Sequence, residues 1–350
     1  MKAVRMYKPG DLRVEEVPIP VPGDGEVLLK IMAVGVCGSD IPRVLTYGAH
    51  VSPIIPGHEF SAEICQLGTN TGDWKVGDRV TCPPLIPCNK CEWCEKGIYS
   101  LCEDYDYFGS RRDGAFAQYL VSPITQLLKL PDNVSYEDAA TMDPCANAMH
   151  GIAQGGVKEG DIVCVYGTGP IGLFACQCAK AKGAKMVIGV DVSQQKLDVA
   201  LKSGCDYVFN SIEQNAPEEI KKVTDGEGAD VVIDFTGAPP AQLAAIESAR
   251  KMGKVVFLGI SHKGLNLEEK HVDTIMRSQL SIIGSWNSFT KPFPGDDWFT
   301  PLKWFEEGKL SAAPIISHKL TLDECPDIFM KIKEGGLFFN KIMFYPNGEC

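Results

Sequence analysis

Short apolar runs separated by turn residues fill the first part of the chain. Pairs such as Pro9-Gly10 and Pro22-Gly23 punctuate these runs. Short strands with Gly and Pro between them are typical of barrels and sandwiches, so we expect a β-rich first part. The predicted strands are Lys2–Tyr7, Glu26–Val36, Phe60–Leu67, Asp78–Cys82 and Ala115–Val121.

The pattern changes near residue 155, where apolar runs of strand length alternate with helix-like segments. Val and Ile dominate several of these runs, as expected for strands covered on both faces. The alternation predicts a doubly wound parallel sheet. Its strands are Ile162–Tyr166, Met186–Val190, Tyr207–Asn210, Val231–Phe235, Lys254–Gly259 and Ser281–Gly284. Its helices are Ile171–Lys182, Gln194–Lys202, Glu218–Thr224, Ala241–Lys251 and Val272–Ser278.

The segment that follows Gly284 is mixed in character. Pro292, Pro294 and Pro301 predict breaks before a helix at Leu302–Glu307, and Asn340–Phe344 has the pattern of a last strand. We expect this tail to rejoin the β-rich part. The fold class is then α/β, with one domain of residues 1–154 and 285–350, a second of residues 155–284, and a ligand cleft between them.

A glycine-rich turn follows the first strand of the second domain. Gly167 permits the turn, Gly169 lets a pyrophosphate approach the backbone, and Gly172 lets the helix pack closely on the strand. The predicted helix begins at Ile171, just after Pro170, and the free N–H groups and dipole of its N-terminus favour phosphate. This strand–turn–helix context predicts a dinucleotide site.

An acid ends the next strand of the same domain. Asp191 lies nineteen residues after Gly172, where a carboxylate can bind ribose hydroxyls and repel a 2′-phosphate. The position favours NAD over NADP. Lys196 is a weaker candidate for the same ribose.

Four cysteines at short spacing form the strongest local signal. Cys88, Cys91, Cys94 and Cys102 can surround one Zn²⁺ with four thiolates. A closed shell of this kind leaves no room for substrate, so we predict a structural zinc in the lobe of residues 88–102. An iron–sulfur cluster or free cysteines are the alternatives.

A second metal site is suggested by scattered residues. Cys37 ends an apolar strand, His58 and Glu59 follow it, and Asp143 precedes a proline. If Cys37, His58 and one acid converge, they offer sulfur, nitrogen and oxygen with a fourth position open, as in catalytic zinc sites. Local spacing alone does not bring them together.

Composition narrows the functional classes. The chain has 350 residues, a net charge of −11 and 14 cysteines. This acidity argues against general nucleic-acid binding, and no apolar run is long enough for a membrane span. With no secretory signal, the cysteines favour metal ligation in a reducing compartment, so we expect a cytoplasmic protein that binds neither nucleic acid nor membrane.

In order and spacing, these motifs resemble the zinc-dependent medium-chain dehydrogenase/reductases, and within them the polyol dehydrogenases. The stretches Gly109–Gly114 and Gly284–Trp286 add to the resemblance, which covers the full chain. It implies a GroES-like β-barrel catalytic domain, a Rossmann domain, NAD and two zinc ions per subunit. It also implies oxidation of a secondary alcohol by a homodimer or homotetramer.

The resemblance also implies residue roles. Cys37 and His58 become catalytic zinc ligands. The acid before proline is Asp143, where related polyol enzymes usually carry Glu. The shorter Asp143 can ligate from a shifted backbone, act through water, or leave the role to Glu59.

Further roles follow for the proton and the substrate. Ser39 matches the hydroxyl that relays the alcohol proton, and His50 is a candidate for the end of that relay. Arg111 and Arg112 are candidates for binding a substrate phosphate, and Trp286 for lining the substrate site. The leading expectation is a polyol phosphate.

Alternatives remain at this point. A free polyol or a threonine-like substrate is possible within the same chemistry. Three other functions would explain some of the same motifs. The protein could be a zinc-free enone reductase, a zinc-ribbon protein that binds nucleic acid, or an NAD sensor without catalytic activity.

Overall fold

A computed structural model describes residues 1–348. The strands are β1 Lys2–Lys8, β2 Asp11–Glu16, β3 Glu26–Gly35, β4 Glu59–Leu67, β5 Arg79–Thr81, β6 Leu85–Ile86, β7 Asp106–Tyr107, β8 Tyr119–Pro123, β9 Leu128–Lys129, β10 Ile162–Tyr166, β11 Met186–Asp191, β12 Tyr207–Asn210, β13 Ala229–Asp234, β14 Ala249–Phe257, β15 Ser281–Gly284, β16 Ile316–Leu320 and β17 Lys341–Phe344.

The helices are α1 Asp40–Pro42, α2 Glu92–Glu95, α3 Tyr136–Ala140, α4 Met142–Gly155, α5 Pro170–Ala181, α6 Gln194–Lys202, α7 Ala216–Val223, α8 Pro239–Ser248, α9 Glu269–Arg277, α10 Asp296–Glu306 and α11 Cys325–Glu334. A π-helical turn covers Arg43–Tyr47, and 3-10 turns lie at Tyr99–Leu101, Ile124–Gln126 and Leu322–Glu324.

The chain forms two compact units. The first contains Met1–Asp143, Phe289–Glu306 and the described residues from Ser311 onward. The second contains Pro144–Ser288 and Glu307–Leu310. The predicted domain bounds, 1–154 with 285–350 and 155–284, stay a prediction.

The second unit is built on a six-stranded parallel sheet. Its strand order is β12-β11-β10-β13-β14-β15, with Ile162 of β10 opposite Met186 of β11. The chain winds outward from β10 in both directions, so the carboxyl ends of β10 and β13 flank the point where ligands bind in such sheets. The predicted doubly wound sheet is confirmed.

At the junction of α8 and β14 the predicted helix extends into the observed strand. The structure ends α8 at Ser248 and begins β14 at Ala249, whereas the pattern predicts a helix to Lys251. Arg250, Lys251 and Met252 are exposed, so the start of the strand lacks the apolar run that marks strands covered on both faces.

The first unit is dominated by a mostly antiparallel sheet. Its order is β16-β17-β3-β4-β5-β9, and β8 also pairs with β3. Because β17 pairs with β3, the C-terminal segment completes the sheet begun by the N-terminal one. The core includes Phe60, Phe116 and Phe344, and the rings of the last two meet edge to face at 5.2 Å.

The proline-rich tail differs from its predicted pattern. Helix α10 starts at Asp296 and contains Pro301, whereas the prolines predict a helix beginning at Leu302. Proline removes one backbone donor from a helix interior. Buried Trp298, Leu302 and Phe305 anchor the apolar face of this helix despite that loss.

None of the described helices combines the length and the hydropathy that a membrane span requires.

Candidate active site

Three potential metal ligands meet in the first unit. One ligand atom from each of Cys37, His58 and Glu59 lies within 4.8 Å of the other two. Cys37 follows β3, while His58 and Glu59 lie at the start of β4, the strand that pairs with β3 along most of its length. The antiparallel pairing therefore brings together residues that are distant in sequence.

Gly57 fixes the approach of His58. Its φ of 92° lies in the left-handed region, and a Cβ there would come within 2.3 Å of the Phe116 ring. A Cβ at Gly114 would lie 2.1 Å from the Gly57 carbonyl oxygen. Only glycine fits these contacts, which hold the loop of residues 109–114 against the backbone beside His58.

Asp40 contacts both neighbouring ligands. Its Oδ2 accepts the Cys37 backbone N–H at 3.0 Å, and its Oδ1 lies 3.4 Å from His58 Nδ1. Arg43 donates to Oδ1 at 2.8 Å. Burial alone would raise the pKa of Asp40, but His58 and Arg43 outweigh it and hold that pKa below its ordinary value. An ionised carboxylate behind a ligating histidine fixes the ring and raises its basicity.

A buried ion pair holds Glu59. The Lys341 ammonium binds the Glu59 carboxylate and also donates to the Val36 carbonyl at 2.9 Å. Both side chains are almost fully buried. Burial would lower the pKa of Lys341, but Glu59 and Cys37 raise it above its ordinary value. Glu59 therefore faces a fixed positive charge as well as the other two ligands.

Asp143 is buried next to the same group, in the first turn of α4. Its pKa is raised to about 7, mainly by burial and also by the charge of Glu59, while His58 and Lys341 oppose the rise. Asp143 is therefore close enough to interact electrostatically with His58 and Glu59. Both acids considered from the sequence are thus present at the site.

The two proposed relay residues are not linked by a hydrogen bond among the described residues. Ser39 is half-buried at the start of α1, and its hydroxyl does not cap that helix. His50 is exposed, and its backbone N–H donates to the Ser110 carbonyl at 3.1 Å.

Aromatic rings connect His58 with Arg111. The Tyr107 ring meets His58 edge-on at 5.4 Å, and Tyr105 meets Tyr107 at 6.1 Å. The Arg111 guanidinium lies over Tyr105 at 4.4 Å. Its Nε is buried, with no hydrogen-bond partner among the described residues.

Arg112 and Trp286 make no contact with Cys37 or His58 that the structure describes. Arg112 pairs with Asp106 at 3.4 Å and lines a cavity of about 420 Å³ together with Arg5 and Tyr119. Neither Cys37 nor His58 lines that cavity. Trp286 belongs to the second unit and is 51% exposed.

The predicted four-cysteine group is assembled. The Sγ atoms of Cys88, Cys91, Cys94 and Cys102 all lie within 4.8 Å of one another. Backbone N–H groups of Glu103 and Cys94 lower the pKa of Cys91 to about 6, whereas burial raises the pKa of Cys94 to about 12. Four thiolates at this spacing need a cation between them, which is what a Cys₄ zinc site supplies.

The glycine turn of the second unit has the geometry that a dinucleotide needs. Gly167 has φ 89°, and a Cβ at Gly172 would lie 1.9 Å from the Gly167 carbonyl oxygen. Gly169 precedes α5 as its N-cap, and a Cβ there would meet nothing within 4 Å. Open space therefore lies beside the first N–H groups of α5, which begins with Pro170 and Ile171.

Asp191 ties the end of β11 to this turn. Its Oδ2 accepts the Thr168 backbone N–H at 2.8 Å, and its Oδ1 accepts the Ser193 N–H at 3.0 Å. Together with Gly167 and Thr236, Asp191 lines a cavity of about 530 Å³. Lys196 is half-buried on α6 and does not line this cavity.

Comparison with known proteins identifies the family. Residues 170–306 match "Zinc-binding dehydrogenase", and residues 23–132 match "Alcohol dehydrogenase GroES-like domain". The galactitol 1-phosphate 5-dehydrogenase of Escherichia coli (strain K12) is 39% identical over 322 residues, or 91% of this chain and 92% of that protein. The chain belongs to the zinc-binding dehydrogenase family. The predicted GroES-like domain is confirmed.

Other relatives of this dehydrogenase act on different alcohols, as their names state. The sorbitol dehydrogenase of Halalkalibacterium halodurans is 36% identical, covering 93% of this chain and 94% of that protein. The L-threonine 3-dehydrogenase of Pyrococcus horikoshii is 33% identical, covering 96% of each. This dehydrogenase is therefore an oxidoreductase of the zinc-dependent alcohol and polyol group.

Solved structures agree with the fold. The crystal structure of galactitol-1-phosphate dehydrogenase from Escherichia coli matches with a TM-score of 0.94 at 36% identity, covering 99% of this chain and 100% of that one. A zinc-binding dehydrogenase from Sinorhizobium meliloti 1021 bound to NADP matches with a TM-score of 0.91 at 29% identity, covering 99% of both. The family implies zinc and a nicotinamide cofactor, and the thiolate, imidazole and carboxylate donors described above fit zinc.

The sequence patterns missed several residues of the dehydrogenase site. Asp40 stands in the Cys37-Gly-Ser-Asp40 motif, but nothing in the spacing shows that it orients His58. Lys341 could have been noticed in the sequence, because it is a charged residue at the start of an otherwise apolar strand. Tyr107 had no signal, because its ring contact with His58 depends on the fold.

Asp191 allows a test of cofactor choice in this dehydrogenase. If Asp191 binds the ribose of NAD, we expect Asp191→Ala to raise the KM for NAD by about 10-fold or more, because that charge-assisted contact is lost. The kcat/KM ratio of NAD to NADP should fall as well, since the charge that repels the 2′-phosphate is gone.

The control is Asp191→Asn. It removes the charge but keeps an acceptor for the Thr168 N–H, so it should relax the cofactor preference with less damage to the turn. An unchanged NAD-to-NADP ratio in both variants would count against the ribose contact.

Proposed function

We propose that this dehydrogenase uses zinc and NAD to oxidise a secondary alcohol of a polyol phosphate, resembling galactitol 1-phosphate, to the keto sugar phosphate. The convergence of Cys37, His58 and two nearby acids in the first unit is the observation that carries the proposal. The second unit supplies a dinucleotide turn with an acid at the ribose position.

The metal ligands in this proposal are Cys37, His58 and either Asp143 or Glu59. When bound, zinc acts as a Lewis acid that lowers the pKa of the alcohol hydroxyl. Asp40 keeps the His58 ring in its ligating orientation. Zinc content of Asp143→Asn and Glu59→Gln would show which acid completes the shell.

The chain's own residues handle the proton. The alcohol loses its hydroxyl proton while its C–H hydride passes to NAD, leaving a ketone, NADH and one proton. Ser39 stands beside Cys37 with a hydroxyl that can accept and donate. We assign Ser39 to carry the proton outward, with exposed His50 as the group that passes it to solvent.

Arg111 favours a phosphorylated substrate. A buried guanidinium N–H without an acceptor costs free energy. A phosphate at the far end of the polyol would supply that acceptor, and arginine is well suited to phosphate. We assign Arg111, with its neighbour Arg112, to this contact and Trp286 to the substrate wall. A free polyol or a threonine-like substrate is the second candidate.

The four-cysteine group offers a closed set of four ligands, and the Cys37–His58 group leaves one position open, so we propose two zinc ions per chain.

We further propose a cytoplasmic location, because none of the described cysteines forms a disulfide. We expect no nucleic-acid partner, given the net charge of −11.

Assembly is proposed to be a homodimer or homotetramer. Strand β15 ends the parallel sheet, and Ile282 on this strand is 41% exposed. Met276, on the neighbouring helix α9, is 64% exposed. An edge strand with exposed apolar side chains is a template for pairing with a second copy. Analytical ultracentrifugation showing only monomer would contradict this.

The function is tested by NADH release from a panel of alditols, alditol phosphates and threonine, with zinc measured on the same sample. We expect the largest kcat/KM for an alditol phosphate. The matched variant is Arg111→Met, which should raise the KM for phosphorylated alditols and leave free alditols unchanged. A larger kcat/KM for free alditols in the wild type would instead support the second candidate.

A further inference from the structure

Tyr107 is held rigidly beside the metal ligands. It lies on β7, where Leu85 of β6 pairs with it. Its carbonyl oxygen accepts the backbone N–H groups of Arg111 at 3.0 Å and Arg112 at 3.2 Å. The strand and the turn together fix the backbone, so the side chain is placed before any substrate arrives.

The side chain reaches the reaction site with an unused hydroxyl. The ring packs edge-on against His58 with centroids 5.4 Å apart. Among the described residues only the backbone of Tyr107, and not its hydroxyl, takes part in hydrogen bonds, and the side chain is half-buried. Burial raises the pKa of Tyr107 well above its ordinary value, and the charges of Asp143 and Cys37 raise it further.

An alcohol that reacts beside Cys37 and His58 also lies next to the Tyr107 side chain, because the Tyr107 ring packs against His58. If such a carbon carries a hydroxyl, Tyr107 can donate to it or accept from it. If the carbon carries no hydroxyl, the half-buried Tyr107 hydroxyl loses its hydrogen bonds to water and gains no new partner. Sites built to bind a substrate hydroxyl discriminate against analogues that lack it for this reason.

We propose that the Tyr107 hydroxyl is a substrate-binding group that selects alcohols carrying a second hydroxyl next to the reacting carbon. The inference rests on the proposed alcohol oxidation and names a property of its substrate that is independent of the phosphate. Selection therefore acts at two ends of the molecule, with Tyr107 near the reacting carbon and Arg111 further along.

The test compares a vicinal butanediol with secondary butanol, which has a single hydroxyl. In the zinc-loaded wild type we expect kcat/KM to favour the diol. Tyr107→Phe keeps the ring against His58 and removes only the hydroxyl. We expect it to lower kcat/KM for the diol by about 10-fold, mainly through KM, and to leave secondary butanol unchanged.

Tyr119→Phe is the matched control. Tyr119 is half-buried on β8, its hydroxyl also lacks a hydrogen-bond partner among the described residues, and it has no ring contact with His58. This variant should keep the wild-type preference. The zinc content of all three proteins should be equal.

Two results would overturn the inference while the proposed function stands. One is an unchanged diol preference in Tyr107→Phe. The other is an equal loss for both alcohols, which would mean that Tyr107 acts only through the position of His58. A wild type that oxidises no alcohol would overturn the proposed function and this inference together.

Discussion

Replacing Cys37 with serine should lower kcat by at least about a thousandfold while the affinity for NADH stays near the wild-type value. Serine is a poor zinc ligand, and Lewis-acid stabilisation of the reacting oxygen is worth several kcal/mol. The glycine turn and Asp191 belong to the second unit, so the dinucleotide contacts are preserved. The measurements are steady-state NADH formation, NADH fluorescence titration and zinc content.

Cys65→Ser is the control for this substitution. Cys65 is another half-buried free thiol of the first unit, and its Sγ contacts only the Leu28 carbonyl at 3.4 Å among the hydrogen-bond partners described. It should retain turnover and both zinc ions. Normal turnover in Cys37→Ser would remove Cys37 from the proposed ligand set.

Replacing Lys341 with methionine should lower the free energy of unfolding by about 3 kcal/mol. The substitution keeps an unbranched side chain of similar length but leaves the Glu59 carboxylate buried without its ammonium. Removing one partner of a buried pair is costly because the other charge stays desolvated. The measurement is the denaturant midpoint and slope of the zinc-loaded protein, compared with the wild type.

The double variant Lys341→Met with Glu59→Gln separates charge from packing. If the loss comes from the uncompensated carboxylate, neutralising Glu59 should restore most of the stability. A single variant as stable as the wild type, or a double variant less stable than the single one, would show that the ion pair is not what stabilises this part of the core.

Local patterns predicted the second unit well. Ile162–Tyr166, Tyr207–Asn210 and Ser281–Gly284 match the observed strands residue for residue. The first is a continuous apolar run and all are bounded by turn residues, so the information is contained within each segment. The error at Ser248 arose where a polar stretch extends a strand beyond its apolar part.

The site was predictable only in part. The motifs around Cys37 and His58 pointed to a metal, yet their meeting depends on the pairing of β3 with β4. Asp40, Tyr107 and Lys341 were missed because their roles come from contacts across the fold. Lys341 reaches Glu59 over 282 positions of sequence, and no periodic pattern reports such a contact.

The most direct test of the account is to locate zinc by anomalous diffraction at the zinc edge in crystals of active enzyme. We predict two sites per chain. One should be surrounded by the four sulfurs of the lobe, and the other bound by Cys37, His58 and a carboxylate oxygen of Asp143 or Glu59. Zinc found only in the four-cysteine lobe of an enzyme that still oxidises alcohols would contradict the account.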